Sequence, residues 1–262
     1  MNLAGQIDKL VDRGFSEERA ETIVLMREAA ILLFDAFPEM LVVVGGANLV
    51  LFQEGVRHSA DLDFFPIAGE LPEIASLKEV LSSGLKPLGE LLKLSPMNLD
   101  TIRADSGEVK MMLSSSSGKA LFTVDITRIG SVLKSGIEEL TLAATGVDRA
   151  ASIKFVSRDR MLLQKAEAFL LRKTVKARDA YDAMDLMDRG ATLQGNLKNH
   201  LEDVLYGEFE SYRILKRINQ VDTRRCQAEL KDKLPETVYK KLEQADFQPI
   251  RDALLRLFDE WL

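Results

Sequence analysis

The sequence is poor in the side chains that build disulfide and soft-metal chemistry. Cys226 is the one cysteine among 262 residues, which excludes an intramolecular disulfide framework and any multi-cysteine zinc site. His58 and His200 are the only histidines, too few for a histidine-rich metal centre. No run is long and apolar enough to span a bilayer. The first residues, Met1 to Asp8, lack the basic-then-apolar order of a secretory signal. The expectation is a soluble, cytoplasmic protein with no membrane association. Positive charge is also short: 35 Lys and Arg face 41 Asp and Glu, a net of −6, and a uniformly acidic surface repels nucleic-acid phosphate. There is no convincing internal repeat, and Ser114–Ser117 is the one low-complexity stretch.

What is present is the composition of a globular chain, 46% hydrophobic and 29% charged, long enough for one large domain or two smaller ones. The charge is uneven. Residues 1–150 carry 14 basic and 22 acidic side chains, whereas 151–262 carry 21 and 19. Between 154 and 178 stand eight cations (Lys154, Arg158, Arg160, Lys165, Arg172, Lys173, Lys176 and Arg178) against Asp159 and Glu167. The plain reading of such a run is a solvated helix face. The sharper one is a counter-charge for a polyanionic ligand.

Periodicity divides the chain near residue 150. Residues 6–37 read as helix, with Ser16 resembling a start. Leu41–Val44 is a short β-branched run stopped by Gly45-Gly46, a buried strand, and 47–55 fits a short helix. Asp61–Phe65 alternates as a strand does, and 73–83 reads as helix. Between 86 and 145 the period falls towards two. There Val109–Leu113 and Ala120–Ile126 flank Ser116-Ser117-Gly118-Lys119 as a hairpin, and Ile137–Ala144 would add an edge strand. From about 157 the pattern is helical to the end. The expected domains are an α/β unit, 1–150, and a helical unit, 151–262.

Asp61 and Asp63 stand at i and i+2 on a strand, so both carboxylates project from one face, with Leu62 and Phe64 on the other. Asp125 lies on a later strand and shares a face with Thr123 and Thr127. If the strands are neighbours, three carboxylates converge. Acids inside apolar strands are unfavourable without a reason, and clustered like charges call for a cation. Hard divalent ions such as Mg²⁺ take oxygen ligands, and two such ions can bind the attacking and leaving oxygens of a nucleotidyl transfer. Gly45-Gly46, between strand and helix, lets backbone approach a phosphate at a helix N-terminus. The plainer alternative is two strand-edge acids and a turn cap.

In the helical half, Leu162, Lys165, Phe169, Arg172 and Lys176 fall at 3–4 residue spacing on one stripe, which Asp179 extends. Arg178 and Asp182 stand at i,i+4, the spacing of a surface ion pair. Other signals fail. Ser117-Gly118-Lys119 has Leu113 and Ala120 where a P-loop needs Gly and Ser or Thr, and Ser114–Ser117 lacks the setting of a hydrolase elbow.

The segments Val43–Leu49 and Arg57–Phe65 resemble the AbiEii/AbiGii toxin family of nucleotidyltransferases, within the DNA-polymerase-β-like superfamily. That family pairs a Gly-Gly and short apolar helix with an Arg-x-Ser-x-Asp-hydrophobic-Asp-Phe run. Its helical segment matches here as Lys165, Arg172, Arg178-Asp179 and Asp182. The resemblance implies a mixed α/β (α+β) nucleotidyltransferase fold followed by a helical domain, with an NTP held between them. It implies that Asp61, Asp63 and Asp125 are catalytic and bind metal, with two Mg²⁺ ions or Mn²⁺ in their place. Asp125 would also help activate an acceptor hydroxyl. Gly45 and Gly46 would cradle the triphosphate, Lys165 would contact it, and Arg57, Ser59, Arg172, Lys176, Arg178 and Asp179 would complete the nucleotide site. The implied activity moves an NMP from an NTP to a hydroxyl, on tRNA or another RNA in some members, and some members are toxins neutralised by an antitoxin encoded nearby. Ala47 departs from the Ser or Thr of many superfamily members. It favours the alternative of a non-catalytic nucleotide- or protein-binding module with a degenerate fold. A phosphohydrolase using the same aspartates is disfavoured by the shortage of histidine.

Overall fold

In the computed structural model, which describes residues 2–67, 69–128, 136–145, 149–205 and 211–262, the chain divides into two units, Met1–Val156 and Ser157–Leu262. The division falls after the strand Ala150–Val156, which belongs to the first unit.

The first unit opens with two helices where periodicity predicts one over 6–37. Helix α1 (Leu3–Asp12) is capped by Asn2, whose side chain accepts from Gly5 N at 2.9 Å. Helix α2 (Glu17–Ala36) starts at Ser16, whose hydroxyl accepts from Arg19 N and satisfies an orphan amide of the first turn. Ile23, Val24, Leu25, Met26, Ala29, Ala30, Ile31 and Leu33 are each at most 3% exposed. These positions surround the helix, which is the signature of a core helix rather than an amphipathic cover.

Then follow β1 (Leu41–Val44), α3 (Gly45–Phe52), β2 (Asp61–Pro66), α4 (Ile74–Leu91), β3 (Asn98–Ala104), β4 (Glu108–Ser114), β5 (Ala120–Thr127), β6 (Ile137–Ala143) and β7 (Ala150–Val156). Helix α4 runs eight residues beyond the predicted 83, because Leu77, Leu81, Leu85 and Leu88 continue one buried stripe through Pro87. The strands form one sheet in the order β3-β4-β5-β2-β1-β7-β6. The β2–β5 and β1–β7 pairs are parallel and the others antiparallel. The hairpin predicted across Ser114–Lys119 is β4–β5, and the predicted edge strand is β6. The buried sides of β2, β4 and β5 (Leu62, Phe64, Val109, Met111, Leu113, Phe122, Val124, Ile126) join α2 and α4 in one apolar core. Their other sides are part-exposed.

The second unit is helical: α5 (Arg158–Leu171), α6 (Ala177–Asp188), α7 (Asn196–Leu205), α8 (Ser211–Asn219), α9 (Thr223–Leu230), α10 (Glu236–Gln244) and α11 (Gln248–Leu257). The helical stripe read from Leu162 through Asp179 is broken, since α5 ends at Leu171 and α6 begins at Ala177. The break needs neither Gly nor Pro. Val175 is fully buried, and Arg225 on α9 donates to the Val175 carbonyl. Tertiary contacts thus hold the connection out of helix.

Candidate active site

The sheet register assembles the acidic cluster. In the parallel β2–β5 pair, Asp61 stands beside Thr123 and Asp63 beside Asp125. In the antiparallel β4–β5 pair, Lys110 stands beside Asp125. Val44, the last residue of β1, stands beside Asp63. Lys110, Asp125, Asp63 and Val44 therefore form a row across four strands, and directly paired residues share a face. The two aspartates of β2 point to the part-exposed side, as their alternation predicts.

Each acid has a different setting. Thr123 Oγ1 donates to Asp61 Oδ1 at 2.7 Å. Asp125 is held at both oxygens: Thr127 Oγ1 donates to Oδ1 at 2.7 Å, and Lys110 Nζ lies 3.0 Å from Oδ2. Asp63 lies against the Gly45 backbone, where a Cβ built on Gly45 would come within 2.1 Å of Asp63 Oδ2. Gly45 has φ +67°, a conformation glycine adopts at no steric cost. Burial alone would push the Lys110 ammonium down. The hydrogen bond it donates to Asp125, with the charges of Asp125, Asp61 and Asp63, outweighs it and holds the group above the ordinary lysine value.

The Gly-Gly turn opens α3. Its N-cap is Val44, which has no side-chain acceptor, so the first amides of α3 get no cap from it. Above Gly46 lie Ser59, with Oγ 2.5 Å from where a Cβ would sit, and Arg57, with Nη2 at 3.2 Å. Both are buried, at 8% and 6% exposure. Arg57 donates to the His58 carbonyl at 3.3 Å and Ser59 to the Asp61 carbonyl at 3.4 Å. The loop thus packs Arg57 and Ser59 onto the turn that sequence reasoning proposed as a phosphate cradle. Ala47 is fully buried and packs in the apolar core. Asn48, 0% exposed, anchors α3 by donating to the Val156 carbonyl at 2.7 Å.

Among the described residues, no group of three His, Cys, Asp or Glu side chains is gathered to hold a metal. The three aspartates lie on adjacent strands, but Asp125 is committed to Lys110 and Thr127. Lys110 was missed by sequence reasoning. Its signal is a cation inside the otherwise apolar run Val109–Leu113, and only the hairpin register reveals that it meets Asp125.

In the helical unit the predicted stripe is split by the break after Leu171. Lys165 Nζ lies 2.8 Å from Asp182 Oδ2 and 3.8 Å from Asp179 Oδ1, and Arg172 Nε lies 3.2 Å from Asp179 Oδ2. The Asp179 and Asp182 side chains are 2% and 1% exposed and that of Lys165 is 11%, so the four groups link α5 to α6 as a largely buried charge network. Asp182, expected to pair with Arg178 on the surface, is inside with Lys165, while Arg178 is exposed. Lys176 lies 3.9 Å from Glu229 on α9. His200 pairs with Glu167 at 2.7 Å. Burial pushes the Cys226 thiol up to about 12, which leaves it chemically inert at neutral pH.

No helix among the described residues is long and apolar enough to cross a membrane. A search of curated protein sequences returns no significant match. Several solved structures share the fold. A candidate nucleotidyltransferase from H. pylori aligns at 17% identity and TM-score 0.56, covering 93% of this chain and 99% of its own. JHP933 from Helicobacter pylori aligns at 16% and 0.57, covering 94% of each. MenT4, a nucleotidyltransferase toxin from Mycobacterium tuberculosis H37Rv, aligns at 16% and 0.50, covering 98% of this chain and 99% of its own. The sequence model described as the nucleotidyl transferase AbiEii toxin of type IV toxin–antitoxin systems matches residues 29–262. With that match spanning the Gly-Gly turn, the aspartate strands and the whole helical unit, the chain belongs to the AbiEii family of nucleotidyltransferase toxins.

Proposed function

We propose that the chain transfers the nucleoside monophosphate of an NTP to a hydroxyl of an RNA acceptor, tRNA among the candidates, in a Mg²⁺-dependent reaction. The observation that carries this reading is the placement of Asp61 and Asp63 on a part-exposed strand face with Asp63 against the Gly45 backbone. The donor set fits a hard cation: oxygen ligands only, beside a backbone cradle that even a Cβ would fill. Asp61 and Asp63 would hold the ion, which when bound supplies charge neutralisation to the phosphates.

The chain's own groups do the rest. The open amides at the start of α3, with Gly46, Ser59 and Arg57 beside them, bind the phosphates of the NTP. The acceptor oxygen forms its bond to the α-phosphorus as the bond to pyrophosphate breaks. Asp125, oriented by Lys110 and Thr127, takes the acceptor's proton. In the helical unit, Asp179 and Asp182 fix Lys165 and Arg172 in a charge network. The exposed cations Lys173, Arg178 and Arg224 supply backbone contacts to an RNA, which carry affinity rather than sequence preference. The family implies an antitoxin partner.

The test is incubation with each α-³²P-labelled NTP, Mg²⁺ and total cellular RNA and protein, with Asp63→Ala alongside. The expected result is label on RNA with the wild type only. Label retained by folded Asp63→Ala would sink the mechanism, and label on protein would replace the acceptor.

A further inference from the structure

Resting on the proposal that Asp61 and Asp63 bind a divalent cation, we infer that Lys110 is a positioning residue that withholds Asp125 from the metal, so that the nucleotide-free site takes one ion where three clustered aspartates would otherwise take two. Three observations lead there. Both Asp125 oxygens are engaged, Oδ2 by the Lys110 ammonium at 3.0 Å and Oδ1 by the Thr127 hydroxyl at 2.7 Å. The contact is built into the sheet, because Lys110 is the direct cross-strand neighbour of Asp125, which is in turn the neighbour of Asp63. No group of three acids among the described residues is gathered to hold a metal.

Charge counting gives the same answer. Lys110 balances Asp125, which leaves the Asp61 and Asp63 carboxylates for one divalent ion, with the Arg57 guanidinium already beside the turn. A second ion beside Asp125 would have to displace the ammonium or sit next to it, a like-charge contact. The ammonium is thus a built-in cation at the third carboxylate. It holds Asp125 ready for the acceptor while the ion stays on the Asp-x-Asp pair. Any further ion then has to arrive with the nucleotide's own negative charge. A merely structural cross-strand pair would stabilise the sheet without altering how many ions bind.

The experiment is a titration of the full-length, nucleotide-free protein with Mn²⁺ alone, free ion being read by electron paramagnetic resonance. Wild type should bind one ion per chain, Lys110→Met two, and Lys110→Arg, which restores the charge, one. Asp63→Asn should weaken binding at least tenfold. Circular dichroism and melting temperature check each variant, and Lys110→Gln serves if Lys110→Met does not fold. Two ions on the wild type, or one on wild type and charge-removing variants alike, overturns the inference and leaves the proposed function standing. No ion on the wild type overturns both. The wild-type count decides alone if neither charge-removing variant folds.

Discussion

Gly45→Ala separates a general backbone penalty from damage to the site. Gly45 sits at φ +67°, where an L-residue costs roughly 1–2 kcal/mol. At about 2–4 °C per kcal/mol for a unit of this size, the melting temperature should fall by roughly 2–8 °C. Gly118 provides the control, with φ +78° and nothing within 4 Å of an added methyl, so Gly118→Ala should lose a similar amount. The variants differ in what the new methyl meets. At Gly45 it lies 2.1 Å from Asp63 Oδ2, whereas ordinary contact begins near 3.4 Å. The carboxylate must retreat by more than an ångström, and misplacement on that scale costs on the order of 100-fold in rate, or about 2.7 kcal/mol of transition-state stabilisation. The assay is pyrophosphate release and label transfer from α-³²P-labelled NTP, with melting curves beside it. Gly118→Ala should transfer at the wild-type rate and Gly45→Ala at about one-hundredth of it. If both variants melt alike and Gly45→Ala transfers within about threefold of wild type, the contact between the turn and Asp63 has no part in catalysis and the reasoning fails.

Other outcomes follow from the same geometry. Lys165→Ala strands the buried carboxylates of Asp179 and Asp182 and should destabilise the helical unit by about 3 kcal/mol, read by denaturant unfolding. Arg172→Ala, whose side chain is 44% exposed, should cost under about 1 kcal/mol. Chelation with EDTA should stop transfer, and either Mg²⁺ or Mn²⁺ should restore it. Cys226 should resist a thiol reagent at pH 8 in the native chain and react after unfolding. Its folded value of about 12 lies above the ordinary 9.0, so from pH 9 upward the unfolded chain releases a proton that the folded chain keeps. Stability therefore falls as pH rises through that window, and less steeply in Cys226→Ala.

The parts of the site written in local patterns are legible in the sequence. The apolar Leu41–Val44 run, the Gly-Gly after it and the alternation Asp61-Leu62-Asp63 locate strand, turn and carboxylates, because period and turn chemistry are properties of neighbouring residues. What depends on pairing is hidden. Lys110 gains its partner from the β4–β5 register, which shifts between Leu113 and Ser114, and a one-residue slip would send it to the other face. The pairing of Asp182 with Lys165 rather than with Arg178 likewise depends on the break after Leu171. A helical wheel drawn straight from Leu162 to Asp179 cannot contain that break, since it is set by Arg225 and the burial of Val175. The strand β7 was also missed, although Ala151-Ser152-Ile153-Lys154-Phe155 alternates as its burial does; it stands directly before the helical pattern that begins near 157.

The place of β7 has a consequence for how the chain is made. Strand β1, wholly buried, has β2 on one side and β7 on the other, and β7 is synthesised more than 100 residues after it. Until Val156 has left the ribosome, the growing chain carries an open apolar edge at Leu41–Val44, and the Val156 carbonyl that accepts from Asn48 and Gln53 is missing from the end of α3. An edge of that kind pairs readily with other chains. A fragment ending at residue 150 would keep every aspartate of the site and lack the strand that closes the sheet around them. For a toxin this ordering is protective, because the α3 turn that would grip the nucleotide is completed by one of the last pieces of its own domain to be translated.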